Sequence, residues 1–276
     1  MILTKNKYYI LRVGNFGTNA NTKLYYCFFT ILLCIEEYIT VNRIDCYIIM
    51  RNSTILWSII EFFLHISKTR IIKPMNLHIM NTEIQLPMYI GIFLQGFQEG
   101  GCITTIGLYF GDRIHIFKYG VFLHLMILFI VWNVWNRELT KQVSSKRLVN
   151  SDSSLILMGS ITVYDIIKLY QNPQYIKRAF FMFFIMLYVS SCWTCITWYR
   201  GFRKVNAYEY QYEISNTSTN TNTNANIYIK KNNKYNIFFV LFYDVFFEIG
   251  MAYLFFFCYY IPDRIDTNLI DYSVNN

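Results

Sequence analysis

Asp244 and Glu248 stand four residues apart in "FYDVFFEIGMAYLFFFCYY", residues 242–260, a run with no other charge. At that spacing two side chains share one face of a helix. Carboxylates inside a bilayer are costly to keep ionised, so they pair with a cation, take up a proton or hydrogen-bond within the bundle. Proton relay, cation binding and plain structural pairing are therefore the chemistries to weigh.

A third acid has similar surroundings. In "MYIGIFLQGFQEGGCITTIGLYFG", residues 88–111, Glu99 belongs to a polar stripe of Gln95, Gln98, Cys102 and Thr105 at three- and four-residue steps. Gly96 with Gly100, and Gly107 with Gly111, repeat at the four-residue spacing that lets a second helix approach closely. At a rise of about 1.5 Å per residue, Glu99 and Glu248 lie roughly 17 Å from the same end of their spans. Asp244 is one turn shallower. If the two helices adjoin, three carboxylates converge, with Gln95 and Gln98 as polar neighbours. Basic partners look scarce, because Lys168 and His124 lie toward the other side.

The remaining chemistry-bearing residues form no recognisable constellation. Glu61 and His65 are an i,i+4 pair on a short apolar run, more suited to a structural contact than a metal site. "CWTC" at 192–195 sits toward the C-terminal end of an apolar helix, where no helix dipole supports a thiolate, so both cysteines read as packing residues. The phosphate-binding, zinc-protease and serine-hydrolase motifs are missing. The sequence therefore predicts no catalytic residue, metal or cofactor and favours a non-enzyme.

The elements that must hold these acids follow from composition. The 276 residues are 54% hydrophobic and 19% aromatic, only 15% charged, with a net charge of +8 and mean hydropathy +0.27. Soluble domains carry about 25% charged residues. Lipid is the expected solvent, and the basic residues fall between apolar runs rather than as a nucleic-acid footprint. The expected fold is all-α, a polytopic transmembrane helical bundle of five to seven spans. Spans are expected at 88–111, 119–135, 155–170, 179–199 and 237–261. The short runs 24–35 and 53–66 are ambiguous. This divides the chain into an N-terminal region (1–87), a core membrane domain (88–261) and a polar tail (262–276).

Basic residues arbitrate the topology. Seven spans put 17 Lys and Arg on one side and 7 on the other, with Lys168 inside a span. By the positive-inside rule the richer side, including loop 200–236, is cytoplasm-like. Within it, 205–236 carries the "NTSTNTNTNAN" repeat and reads as a flexible polar loop. The functional expectation is a multi-pass integral membrane protein transporting a small solute, proton or cation. The alternative is an assembly factor or scaffold that binds other membrane proteins through its glycine-rich span. Its partner in either case is the lipid bilayer, with no nucleic acid.

Overall fold

Helix α1 (Ala20–Val41) turns the usual burial pattern inside out. It buries Lys23, Thr30 and Glu37 and exposes Leu24, Phe28, Ile31, Ile35 and Ile39. Helix α2 (Asp45–Ile66) does the same, with Asn52, Ser53, Thr54 and Glu61 inside and Ile55, Ile59, Phe62 and Phe63 outside. An apolar exterior around polar contacts is what lipid selects, since hydrocarbon costs nothing against hydrocarbon and polar groups must be satisfied internally.

The computed structural model describes residues 2–14, 18–139, 142–149, 152–213, 226–232, 238 and 241–270. After α2 come α3 (Met88–Gly96), a π-helical segment (Phe97–Cys102) and α4 (Ile103–Asp112), which together continue one helical path. Then follow α5 (Phe117–Trp135), α6 (Asp152–Gln171), α7 (Ile176–Tyr199), a second π-helical segment (Leu241–Ala252) and α8 (Tyr253–Arg264). Five helical stretches are long and apolar enough to cross a membrane: Ala20–Val41, Asp45–Ile66, Phe117–Trp135, Pro173–Tyr199 and Leu241–Tyr260.

This set differs from the sequence expectation: it gains the two N-terminal helices and lacks 88–111 and 155–170, the latter lying in α6, which carries Asp152, Asp165 and Lys168. The ambiguous runs 24–35 and 53–66 are the cores of two 22-residue helices. Charged residues had shortened the apolar runs, and of these Lys23, Glu37, Asp45 and Glu61 face inward while Arg51 is exposed. Conversely, 88–111 is interrupted at Phe97–Cys102, where the π turn widens the helix.

The glycines explain how the interrupted helix packs. A Cβ at Gly100 would lie 2.7 Å from the Ser53 carbonyl oxygen, and one at Gly96 would lie 2.8 Å from the Ser58 Cα. Both therefore admit the backbone of α2. One helical stretch on, a Cβ at Gly111 would lie 2.8 Å from the Met182 backbone nitrogen, and one at Gly107 would lie 3.1 Å from the Met182 carbonyl oxygen. This second face receives α7. Replacing Gly111 with Leu is expected to lower stability by about 3 kcal/mol or more, because backbone rather than a flexible side chain blocks the space. Gly120→Ala is the matched control, since nothing lies within 4 Å of its Cβ position. Thermal unfolding in detergent should separate the two, and an unshifted Gly111→Leu midpoint would contradict the packing.

The fold is not all-α. A five-stranded sheet has the order β2-β5-β1-β6-β7, with β1 (Ile2–Val13), β2 (Arg70–Ile72), β5 (Val143–Leu148), β6 (Arg203–Glu213) and β7 (Asn226–Asn232), every pairing antiparallel. A separate hairpin joins β3 (Asn76–Ile79) and β4 (Thr82–Gln85). The expectation of a flexible loop over 205–236 is thus corrected at its flanks, which pair as β6 and β7; 214–225 and 233–237 lie outside the described residues. The Tyr208, Tyr210 and Tyr212 alternation is an ordinary strand signal that the neighbouring polar repeat obscured. The sheet gathers the chain ahead of α1 and the three basic connections, α2 to α3, α5 to α6 and α7 onward, at one end of the bundle.

Candidate functional site

Strand register places four arginines on one face of the sheet. Arg12 of β1 stands opposite Arg203 of β6, and Arg70 of β2 opposite Arg147 of β5. Arg147 in turn faces Ile10, two residues from Arg12 and so on the same side. Like charges directly opposite one another in a sheet repel. This face requires anions, and the helices supply them.

Glu61 of α2, Glu99 of the first π segment and Asp244 and Glu248 of the second are the four carboxylates. Arg70 pairs with Glu61, Arg147 with Glu248 and Arg203 with Asp244. Glu99 takes Arg12 at 2.5 Å and Arg70 through two hydrogen bonds of 2.7 and 2.8 Å. Burial, reinforced by the like charge of Arg12, draws the Arg203 guanidinium below its ordinary pKa, with Asp244 opposing. At Arg70 and Arg147 the same desolvation is outweighed by Glu61 with Glu99 and by Glu248, and both are held above it.

The three acids singled out in the sequence are brought together, in distinct states. Glu99 is saturated: besides its two arginines it accepts from Gln95 Nε2 and, at 3.3 Å, from Trp57 Nε1. Gln95 and Gln98 in turn accept from Lys23 Nζ at 2.5 and 2.6 Å, which satisfies an ammonium only 2% exposed. Asp244 shares Arg203 with Thr194, whose hydroxyl accepts at 3.0 Å. Glu248 has one oxygen on Arg147, while Oε2 is buried without a hydrogen-bond partner.

Between these groups lies a cavity of about 100 Å³. Glu99, Gln98, Asp244, Glu248, Arg12 and Arg203 form its charged and polar side. Ile103, Ile106, Ile130, Val189 and Ile249, with Trp193 and Tyr253, make the remainder largely apolar. The acids therefore meet across a chamber. The segment carrying Asp244 and Glu248 packs mainly on α6, α7 and α8.

The expected scarcity of basic partners is corrected. Lys168 and His124 are not needed, because Arg12, Arg70, Arg147 and Arg203 reach the acids from the sheet. Without the strands, sequence reading leaves these arginines in connections outside the bundle. The signal available was positional: each lies in or beside an alternating Ile, Val or Tyr segment at the end of an apolar helix. Glu61 pairs with Arg70 rather than with His65. Cys192 and Cys195 are free thiols, and the described residues contain no cluster of His, Cys, Asp and Glu able to hold a metal.

A second ionic cluster ties different elements together. Arg178 at the start of α7 bonds Asp112 at 2.7 and 2.5 Å, Asp45 at 2.7 Å and the Asp266 carbonyl. Arg43 reaches the Asp266 carboxylate at 2.9 Å. Glu36 accepts from Tyr109 and Tyr119 at 2.6 and 2.9 Å, with Arg113 at 3.4 Å. The joined segments are the α1 to α2 turn, the end of α4, the start of α7 and the chain after α8. This cluster lines no part of the chamber.

No protein-family model matches the chain, and neither does any curated protein or solved structure. The class is therefore defined by the chain itself: a mostly helical protein with five apolar stretches fit to cross a membrane and a charged chamber among them.

Proposed function

We propose that this is a multi-pass membrane protein that takes a small solute into the chamber and carries it across the bilayer. The observation that carries the reading is the cavity itself, bounded by Glu99, Asp244, Glu248, Arg12 and Arg203 where helices meet the sheet. A structural protein gains little from leaving space beside ionised groups, since voids forfeit packing and buried charges demand partners. The arginines compensate each acid, which favours a solute bearing its own polar groups over a bare cation. By the charge bias, the sheet and loop 200–236 occupy the cytoplasm-like side.

The glycine faces of α3, the π segment and α4 carry α2 and α7 of the same chain. That weighs against their use for docking other membrane helices. The test is flux in vesicles containing the full chain. Proton movement is followed with an internal pH dye, sodium and potassium with ion dyes, and labelled phospholipids by external quenching. At least one flux should exceed that of protein-free vesicles by about tenfold and fall to background in Glu248→Gln. Background values for every probe, with protein correctly inserted, would overturn transport.

A further inference from the structure

Two residues that line the chamber each carry a buried polar atom with no hydrogen-bond partner among the described residues. One is Glu248 Oε2, on a side chain 4% exposed; the other is the Ser190 hydroxyl of α7, 2% exposed. Buried polar atoms are almost always satisfied, so two unsatisfied ones on residues lining one cavity point to a missing group beside it. A carboxylate oxygen can only accept, while a hydroxyl both donates and accepts. The complementary group is an N–H or O–H donor, and beside a carboxylate a cationic donor is the stronger one.

The rest of the wall narrows the class. Arg12 is partly exposed to the chamber and engages Glu99 through Nη2, leaving guanidinium N–H groups for an anion. Ile103, Ile106, Ile130, Val189 and Ile249 offer no polar group and suit hydrocarbon. We propose that the chamber binds the head of a primary-ammonium phospholipid. The ammonium donates to Glu248 Oε2 and Ser190, the phosphodiester lies toward Arg12, and acyl chain contacts the isoleucine wall. This rests on the chamber being a binding site, as in the transport reading, and it names the occupant.

The chemistry discriminates sharply. A primary ammonium has three N–H donors, whereas a quaternary ammonium of the choline type has none. Losing a hydrogen bond to a buried charged acceptor corresponds to about tenfold or more in affinity. A primary-ammonium head without acyl chains keeps those bonds but leaves the apolar wall unfilled.

Binding is measured on the purified full chain in detergent, by thermal shift and by the fluorescence of Trp193, which lines the chamber. The readout uses Trp193→Phe as the control that isolates this tryptophan. Short-chain phosphatidylethanolamine should bind at least tenfold tighter than its phosphatidylcholine counterpart and than free phosphoethanolamine. Ser190→Ala should lose severalfold and Glu248→Gln at least tenfold, each with an unchanged elution profile. Should Glu248→Gln fail to fold, the ethanolamine-to-choline ratio on the unaltered protein and Ser190→Ala still decide. Equal affinity for both lipids overturns the proposal, as it would if a proton shared with Asp244 occupies Oε2. Free phosphoethanolamine binding as tightly as the lipid overturns the lipid as its source. Binding without flux would retain this proposal and refute transport; proton or cation flux without ethanolamine selectivity would do the reverse.

Discussion

Arg70→Met should be among the most damaging single changes in the protein. Glu61, 1% exposed, has Arg70 as its ion-pair partner, and Glu99 loses two hydrogen bonds while retaining Arg12. Removing one partner of a buried pair and stranding the other costs about 3–5 kcal/mol. The expected result is a large fall in the detergent melting temperature or loss of a monodisperse species. The interaction is isolated by a cycle with Glu61→Gln. That change removes the stranded charge, so the double variant should recover part of the loss, with a coupling of about 1 kcal/mol or more. Additive losses would mean the pair does not form. In the sheet, Arg147 loses its like-charged neighbour when Met stands at position 70, so any compensating relief is local to β2 and β5.

Arg178→Ala carries the second large effect, through a different cluster. The guanidinium is fully buried and forms a two-pronged contact with Asp112 as well as a bond to Asp45. Its loss leaves two buried carboxylates facing each other, again a cost of about 3–5 kcal/mol. Arg178→Lys should rescue little, because a single ammonium cannot reproduce the planar fork. The chain after α8 provides a specific readout. Asp266 holds to Arg178 through its carbonyl and to Arg43 through its carboxylate, and Ile270 N donates to the Asp112 carbonyl at 3.3 Å. Limited proteolysis should therefore cut near 265–270 faster in both variants. Unaltered cleavage with normal melting would show that Arg178 is not the clasp.

The two clusters define complementary roles. The Arg178 cluster joins helix ends directly and lines no part of the chamber. The sheet arginines reach their acids around a cavity and leave Glu248 Oε2 unused. Arg70 and Arg178 thus hold the fold. Ser190 lines the chamber without an ion pair, whereas Glu248 serves both roles, since it also holds the buried Arg147.

The sequence by itself pointed to lipid and picked out three of the four acids, Glu61 being read instead as a structural pair with His65. Membrane-length apolar runs with little charge point to lipid as the surroundings, and five helical stretches among the described residues are long and apolar enough to cross a membrane. The same runs made Glu99, Asp244 and Glu248 conspicuous, since each breaks an otherwise uncharged neighbourhood. The glycine spacing at 96, 100, 107 and 111 likewise announced close helix contacts.

Only the tertiary structure decided the partners. Strand pairing joins residues far apart in sequence, as when Arg12 meets Arg203, and no local pattern encodes which connection pairs with which. Connections that looked like charged loops are therefore strands, and the acids that seemed to require protons or a cation already have arginines. The inward charges of α1 and α2 were illegible for a related reason. A charge within an apolar run lowers its hydropathy equally whether it faces lipid or a buried partner, and only packing distinguishes the two. The unused oxygen of Glu248 belongs to this second category. Sequence placed the residue in an apolar run of membrane length, and the tertiary contacts leave one of its two buried oxygens without a hydrogen-bond partner among the described residues.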